Sequence, residues 1–202
     1  MENLLFIKDV KGKEGVYPII KQRLREFSSF ENKGNKEWFS EMCFCLLTAN
    51  ASAKGGIAVQ EALGSKGFLS LPEKKLAKRL KEIGYRFPNV RAKYIVEARK
   101  HTNIKNVING MTSHQAREWL VKNIKGLGMK EASHFLRNVG RKDVGILDKH
   151  ILRSMKVEAK PLSPKKYVDV EKKLFSLAKS AKTNMAELDL ILWYGQTGEV
   201  LK

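Results

Sequence analysis

The amino-acid sequence predicts an all-α protein, and three observations carry this prediction. Apolar residues recur almost throughout at the three- and four-residue spacing of amphipathic helices. Alternating segments rich in β-branched residues, which would indicate strands, are scarce. Glycine, proline and asparagine separate the periodic segments. The predicted helices cover residues 14–30, 35–50, 54–63, 73–83, 89–101, 112–123, 129–139, 148–156, 164–180 and 184–196.

Local signals justify the boundaries of these helices in chain order. The glycines of segment 64–67 end the third helix, and Pro72 directly precedes the fourth, which is an acceptable first-turn arrangement. Gly84 ends the fourth helix, and Asn109-Gly110 separates the fifth from the sixth. The prolines of segment 161–164 separate the eighth helix from the ninth.

The length suits one compact unit or two small interlocked lobes, and no internal repeat is visible over residues 1–202. Hydrophobic residues make up 43% of the chain, which allows a substantial core. No stretch approaches the ~20 apolar residues of a membrane span. The N-terminus also lacks the apolar segment of a signal peptide. We therefore expect a cytoplasmic protein with no membrane partner.

The only two cysteines, Cys43 and Cys45, lie in the apolar segment 42–47. At this spacing on a helix their side chains point to different faces, and no further cysteine could complete a zinc site. We expect both to be buried, reduced thiols. The sequence implies no metal and no other cofactor.

The composition is strongly basic, with 39 Lys and Arg against 21 Asp and Glu and a net charge of +18. Such a field attracts a polyanion, accelerates encounter with it, and predicts binding that weakens steeply with salt. Charge alone does not separate DNA from RNA or an anionic membrane. A lysine-rich surface without any such partner would have the same composition.

A glycine hairpin at residues 125–130 is the most informative local motif, because it predicts a tight turn between two helices. Gly126 and Gly128 permit positive φ and close approach of a foreign backbone. Free N–H groups at the start of the second helix provide a site for an anion such as a phosphate. Lys130 at that helix start and Asp148, eighteen residues further on, supply the amine and the carboxylate of amine-nucleophile chemistry.

The segments around this hairpin carry a family resemblance. Lys-Gly-Leu-Gly-Met-Lys-Glu-Ala-Ser-His-Phe-Leu-Arg-Asn-Val-Gly (125–140) and Ile-Leu-Asp-Lys-His-Ile-Leu-Arg (146–153) resemble the helix-hairpin-helix, Gly/Pro-rich-loop, aspartate superfamily of base-excision DNA glycosylases. Within it, the chain is most similar to the archaeal-type 8-oxoguanine DNA glycosylase/AP lyase group. Segments 41–56 and 192–202 match this group as well, so the resemblance extends from about residue 20 to the last residue.

The resemblance implies a single unit, residues 1–202, of two interlocked helical lobes with a cleft between them. A helix-hairpin-helix at about residues 115–140 would lie at the mouth of the cleft, and the N-terminal helix would pack with the C-terminal lobe. The implied activity is excision of 8-oxoguanine from double-stranded DNA, followed by strand cleavage. We expect a monomer with no obligate protein partner.

Lys130 and Asp148 are the candidate catalytic residues. The positive end of a helix dipole disfavours an ammonium at Lys130, so this side chain is suited to act as a neutral amine that attacks the sugar and forms a Schiff base. Asp148 would stabilise the charge that develops on the sugar and orient or deprotonate the lysine. The alternatives are a phosphate contact for Lys130 and a helix N-cap for Asp148. A cap is compatible with catalysis, because it fixes the carboxylate.

Further candidates concern the DNA and the damaged base. Asn50 matches the position at which related glycosylases fill the gap left by a flipped base, although it could instead cap a helix. Arg86 and Phe87 form an aromatic and basic loop that could contact the opposite base, although Phe87 could belong to the core. Trp193 could stack on the flipped base, and the terminal Lys202 could supply a carboxylate or an ammonium to it.

Two other functions remain open from the sequence. The same scaffold could act on another lesion, such as an oxidised pyrimidine, although the four-cysteine iron–sulfur loop of some such enzymes is absent. Alternatively, the chain could be a non-catalytic helix-hairpin-helix module. A binding module needs the glycines and the positive charge, but it has no use for a lysine paired with an aspartate.

Overall fold

The computed structural model describes residues 2–202, and no strand is present among them, so the all-α prediction is confirmed. Twelve α-helices are described in this part of the chain, with short 3-10 turns at Phe30–Asn32 and Arg99–His101. The α-helices are α1 Glu2–Gly12, α2 Tyr17–Ser29, α3 Asn35–Thr48, α4 Ala53–Ser70, α5 Glu73–Glu82, α6 Pro88–Ala98, α7 Ile104–Ile108, α8 Ser113–Asn123, α9 Met129–Asn138, α10 Lys149–Ser154, α11 Pro164–Ser180 and α12 Met185–Thr197.

Side-chain caps explain why several helices begin where they do. Thr112 and Gln115 form a reciprocal capping box at the start of α8. Ser52, Ser163 and Asn184 each accept a hydrogen bond from a backbone N–H in the first turn of α4, α11 and α12 respectively. Such caps satisfy N–H groups that have no partner within the helix, and each contributes roughly 1 kcal/mol.

The structure corrects the predicted elements at three places. Helix α1 is absent from the prediction, and so is the short helix α7. Segment 64–67 does not end a helix: α4 continues to Ser70 and is only kinked at Gly64, where φ is +57° and ψ is −177°. Glycine adopts this backbone conformation without a Cβ penalty, so the chain bends and then resumes a helix.

The chain is divided into two compact units. One unit combines the N-terminal segment, through Ser29, with Leu136–Lys202. The other consists of Phe30–Phe135. The division falls within α9, so the last residues of that helix belong to the first unit.

In the unit formed by Phe30–Phe135, α3 is the central helix. Every residue from Trp38 to Thr48 is buried, and α4, α6 and α7 pack around it. Cys43 and Cys45 are buried free thiols within this run, and burial raises the pKa of Cys43 well above its ordinary value. Gly56 lets α4 approach closely, because a Cβ at this position would lie 3.0 Å from the ring of Phe44.

In the other unit, α12 is the central helix. It is buried from Met185 to Leu192, and α1, α2, α10 and α11 pack against it. Gly195 allows the close approach of α1, because a Cβ there would lie 2.5 Å from the ring of Phe6. Helix α11 is tied to the same unit by Glu171, which accepts a 2.7 Å hydrogen bond from the backbone N–H of Gly145.

Candidate active site

The predicted hairpin is present between α8 and α9, and its turn depends on one glycine. Gly126 has a φ of +96°, which favours glycine, and a Cβ there would lie 2.5 Å from Tyr94 Cδ2. Gly128 is not among the glycines with positive φ, so only Gly126 uses the freedom that both glycines offer. The carbonyl of Gly128 instead accepts the first hydrogen bond of α9, from the N–H of Ala132 at 2.9 Å. The second glycine therefore starts the helix rather than making the turn.

The two hairpin helices are joined by a buried arginine. The Arg117 side chain on α8 donates from Nη1 to Ser133 Oγ on α9 at 3.2 Å, and both residues are buried. This bond holds α9 in place relative to α8 and thereby fixes the start of α9. Helix N-termini present free N–H groups, so this end of α9 is suited to an anion.

Lys130 lies in the first turn of α9 with 31% of its side chain exposed. Its Nζ is 3.0 Å from Glu131 Oε1, and Glu131 is the only acidic residue in that turn. The amine is thus accessible to a reactant and is held by an ion pair in the free protein. This geometry suits a nucleophile and also a phosphate contact.

Asp148 is the N-cap of α10. Its Oδ1 accepts hydrogen bonds from the backbone N–H groups of His150 and Ile151, both at 2.9 Å. Within residues 2–202 no hydrogen bond to the other oxygen, Oδ2, is found. The cap therefore anchors one oxygen of the carboxylate and leaves the second available to an incoming group.

A buried ion pair joins the last turn of α9 to α12. Asp189 Oδ2 lies 2.9 Å from Arg137 Nη1, and neither side chain is more than 9% exposed. Burial raises the pKa of Asp189 to about 7; the Arg137 charge opposes this rise, and the Asp148 charge adds to it. The sequence prediction did not include either residue, because a pair separated by 52 positions leaves no local signal.

Trp193 lies on α12, half-buried, with its ring against His150 of α10. The ring centroids are 4.6 Å apart in an edge-on arrangement. Burial lowers the pKa of His150, and Asp148 partly opposes this shift. The buried Trp193 Nε1–H finds no hydrogen-bond partner in the described part of the chain. The C-terminal Lys202 is half-buried.

Asn50 follows the end of α3 and adopts a left-handed conformation, with φ +57°. Ser52, not Asn50, is the N-cap of α4, whereas Asn50 directly follows Ala49, the C-cap of α3. Asparagine tolerates the left-handed region better than most residues, and such a residue ends a helix. Its side chain is exposed to solvent.

Two residues that the sequence prediction missed bring the loop of Arg86 and Phe87 to the end of α3. The Tyr85 hydroxyl donates to the carbonyl of Leu47, and Arg91 Nη2 donates to the carbonyl of Ala49 at 2.6 Å. The loop therefore lies beside the segment that leads to Asn50.

In this loop the Arg86 guanidinium lies 4.8 Å from the centroid of the Phe87 ring. Arg86 is exposed and Phe87 is only partly buried, so Phe87 is not a member of the core. The sequence contains a weak signal for this arrangement, because a basic residue stands between two aromatic ones at Tyr85, Arg86 and Phe87, and Arg91 follows closely.

Neither a metal site nor a membrane-spanning helix is found among the described residues. No group of three His, Cys, Asp or Glu side chains within residues 2–202 is arranged to hold a metal ion. None of the helices in that range is both long enough and apolar enough to cross a bilayer.

The fold and the hairpin define an all-α protein of the helix-hairpin-helix class, and comparisons with known proteins specify it further. The family model described as 8-oxoguanine DNA glycosylase, with the helix-hairpin-helix motif, matches residues 20–183. The 8-oxoguanine DNA glycosylase/AP lyase of Methanocaldococcus jannaschii is 48% identical over 203 residues, covering 97% of each chain. The protein of that name from Korarchaeum cryptofilum is 47% identical, again over 97% of each chain.

A solved structure agrees with the sequence comparisons. The crystal structure of the M. jannaschii 8-oxoguanine glycosylase/lyase in complex with a 15mer DNA containing 8-oxoguanine matches with a TM-score of 0.96 and 47% identity, covering 100% of both chains. The chain belongs to the 8-oxoguanine DNA glycosylase family.

Proposed function

We propose that the protein is a bifunctional DNA glycosylase and AP lyase that excises 8-oxoguanine from double-stranded DNA. The observation that carries the proposal is the whole-length similarity to a glycosylase/lyase whose crystal structure contains DNA with this lesion. The net charge of +18 provides the electrostatic attraction that a DNA-binding enzyme needs. The enzyme acts as a monomer, because one lesion engages one copy of the chain.

In the proposed reaction Lys130 is the nucleophile. Its amine attacks the anomeric carbon of the damaged nucleotide, and the bond from that carbon to the base breaks. The base leaves with a proton from the amine. The bond from the anomeric carbon to the ring oxygen then breaks, the ring oxygen takes up a proton, and the amine remains attached to the opened sugar as a protonated Schiff base, an iminium. This iminium acidifies the neighbouring sugar proton, and its loss expels the 3′ phosphate by β-elimination. The accessible position of Lys130 in the first turn of α9 supports this role.

Asp148 is the proposed catalytic carboxylate. It stabilises the positive charge that develops on the sugar as the glycosidic bond breaks. The two hydrogen bonds to Oδ1 support this role, because they fix the carboxylate without occupying Oδ2. A preorganised charge of this kind requires no rearrangement during the reaction.

The remaining candidate residues are assigned to DNA and base contacts. Asn50 fills the gap left by the flipped nucleotide, supported by its exposed side chain on a left-handed backbone. Arg86 and Phe87 contact the opposite base, supported by the exposed Arg86 guanidinium beside the partly buried Phe87 ring. Trp193 stacks on the extruded base, and Lys202 contacts the same base.

The hairpin glycines take part through the backbone. We assign Gly126 and Gly128 to the approach of a DNA phosphate at the start of α9. The absence of side chains at both positions lets the DNA backbone come close to the N–H groups of the helix. This contact carries no sequence information, so it serves to position the duplex.

Borohydride trapping tests the proposed activity. Duplex DNA with 8-oxoguanine opposite cytosine is incubated with the protein and borohydride, which reduces a Schiff base to a stable covalent adduct. We expect an adduct with the wild type and none with Lys130→Gln. Lys125→Gln is the matched control: this hairpin lysine pairs with Glu97 at 3.7 Å and should still allow the adduct.

Two other outcomes of the trapping experiment would favour the alternative functions. An adduct that forms only with oxidised pyrimidines would overturn the assignment of the lesion. Tight DNA binding that is unaffected by Lys130→Gln, with no adduct on any lesion, would indicate a non-catalytic binding module.

Asp148→Asn separates capping from catalysis. Asparagine caps helices as well as aspartate does, so stability should change by less than about 0.5 kcal/mol. The negative charge is lost, and we expect base excision to slow by roughly 10² to 10⁴. Excision at the wild-type rate in a folded Asp148→Asn variant would leave the residue with a structural role only.

A further inference from the structure

Two carbonyl groups at the end of α3 are bound by side chains from another segment of the same unit. The last carbonyls of a helix have no partner within it. The Tyr85 hydroxyl donates to the carbonyl of Leu47, and Arg91 Nη2 donates to the carbonyl of Ala49 at 2.6 Å. Tyr85 and Arg91 are each only 7% exposed. The end of α3 is therefore fixed by two buried side chains.

Arg91 is a buried cation without an acidic partner. Within residues 2–202 its guanidinium forms no ion pair with a carboxylate, and its Nε–H has no hydrogen-bond partner. Burying an unpaired charge is costly. A cation at the C-terminal end of a helix is favoured, because the free carbonyls there carry partial negative charge. The guanidinium therefore owes its position to the end of α3 and not to an ion pair.

The same two residues hold the loop of Arg86 and Phe87 on both sides. Tyr85 directly precedes Arg86. The backbone N–H of Arg91 donates to the carbonyl of Phe87 at 3.1 Å, which is the first hydrogen bond of α6. Arg91 thus contacts the loop through its backbone and α3 through its side chain. One residue connects two segments that we assign to DNA contacts.

Asn50 is attached directly to the carbonyl that Arg91 binds. The carbonyl of Ala49 and the nitrogen of Asn50 belong to the same peptide unit, which is planar. A hydrogen bond to this carbonyl therefore fixes the direction in which the chain leaves α3. The side chain of Asn50 is exposed, and its backbone is left-handed with φ +57°. The backbone, rather than packing of the side chain, determines where Asn50 points.

We propose that Tyr85 and Arg91 are positioning residues that hold Asn50 and the Arg86–Phe87 loop in one fixed arrangement, so that the gap is filled while the opposite base is held. The inference rests on the proposed DNA contacts of Asn50 and of this loop. Neither Tyr85 nor Arg91 touches DNA in this proposal, because both are buried. A preorganised arrangement lowers the entropy that is lost when the damaged nucleotide leaves the stack.

The test compares two single-turnover rates in the same duplex sequence. One is the excision of 8-oxoguanine opposite cytosine, and the other is strand cleavage at a preformed abasic site opposite cytosine. Extruding a paired base costs more free energy than extruding a sugar that carries no base. Loss of positioning should therefore slow excision more than cleavage, whereas a general loosening of the fold should slow both equally.

Arg99→Met is the matched control for Arg91→Met. Arg99 makes the same kind of contact in the same unit, because its Nε and Nη2 donate to the carbonyls of Phe68 and Leu71 at 2.8 and 2.6 Å, at the end of α4. For Arg91→Met we expect the ratio of excision to cleavage to fall about tenfold. Arg91→Lys keeps a cation and a donor and should recover most of this loss. Arg99→Met should leave the ratio unchanged.

A second measurement asks whether Arg91 acts through Asn50. Asn50→Gly removes the side chain and keeps the left-handed backbone, because glycine adopts positive φ readily. In this background Arg91→Met should slow excision by a much smaller factor than in the wild-type background, since residues that act as one unit are not additive. The salt dependence of binding to undamaged duplex should be the same for Arg91→Met and the wild type, because a buried guanidinium neutralises no phosphate.

Equal slowing of both rates by Arg91→Met would overturn the inference, as would full additivity with Asn50→Gly. If Arg91→Met does not fold, Tyr85→Phe decides, because it removes only the hydroxyl that binds Leu47. We expect it to lower the ratio of excision to cleavage about threefold, and an unchanged ratio would then refute the inference. If the wild type itself excises no 8-oxoguanine, the proposed function fails, and this inference fails with it.

Discussion

Gly126→Ala is a sharp test of how the hairpin is built, because the structure predicts two separable costs. The first is the backbone: an alanine at φ +96° is strained by about 1–2 kcal/mol. The second is steric, because the new Cβ would lie 2.5 Å from Tyr94 Cδ2 and 3.1 Å from Leu46 Cδ2. Overpacking of this kind typically costs about 1–3 kcal/mol. Together they predict a loss of about 2–5 kcal/mol in the free energy of unfolding.

The Tyr94 ring has little freedom to move away. Lys125 Nζ lies 5.7 Å from its centroid and the Arg91 guanidinium lies 5.6 Å from it. Arg91 is itself held by its hydrogen bond to the carbonyl of Ala49. We therefore expect the hairpin backbone to shift instead, which would displace the start of α9 and weaken binding to undamaged duplex DNA.

Gly110→Ala is the matched control. Gly110 has a φ of +80°, but no atom lies within 4 Å of the position that a Cβ would occupy, so only the backbone cost of about 1–2 kcal/mol applies. Urea denaturation of both variants measures the difference, expected at about 1–3 kcal/mol. In a Tyr94→Ala background most of that difference should disappear. The steric explanation would be refuted if the two glycine substitutions reduced the free energy of unfolding equally. It would also be refuted if the cost of Gly126→Ala were unchanged in the Tyr94→Ala background.

Three further predictions concern a partly buried phenol, a helix cap and the surface charge. Burial and the hydrogen bond to Glu187 raise the pKa of Tyr17 to about 12, so its contribution to stability is complete below pH 10 and is lost as the pH rises through 12. Tyr17→Phe should lose less stability over that interval in alkaline denaturation. Thr112→Ala removes the capping box of α8 and should cost about 0.5–2 kcal/mol in urea, whereas Thr112→Ser should be nearly neutral. The affinity for duplex DNA should fall linearly with salt on a logarithmic plot, and an affinity that is independent of salt would contradict the electrostatic argument.

The features that were predictable from sequence are those determined by nearby residues. Asp148 followed by the apolar start of α10 is a local N-cap signal, and the structure contains that cap. The sequence of α1 contains no comparable signal. Its apolar residues do not all face the core, since Leu5 is exposed whereas Ile7 and Val10 are buried. Its stability comes from packing against α12, where Gly195 makes room for Phe6. Such a tertiary contact cannot be read from residue spacing.

The same distinction applies to the candidate site. The hairpin was predictable because glycine spacing is a local property, yet the role of Gly128 was not, since a glycine permits positive φ without requiring it. Tyr85 and Arg91 hold the Arg86 loop through carbonyls about forty positions away, at Leu47 and Ala49. Side-chain bonds to distant backbone groups leave no periodicity in the sequence.

The energetics of the Arg137–Asp189 pair argue that it is not retained for stability. Removing one partner of a buried ion pair commonly costs about 3–5 kcal/mol, whereas replacing both with neutral residues is often neutral or stabilising. We therefore expect the variant with Arg137→Met and Asp189→Leu to be at least as stable as the wild type in urea at pH 7. Because the pKa of Asp189 is raised to about 7, its contribution to stability is complete below pH 4 and is lost as the pH rises through 7.

The double variant has no carboxyl group at position 189, so its stability does not fall in this way. Its free energy of unfolding should therefore exceed that of the wild type by a margin that grows between pH 4 and pH 7. A double variant that is several kcal/mol less stable across this range would show that the pair holds the fold together. A double variant that is at least as stable as the wild type would show that the fold does not depend on the pair.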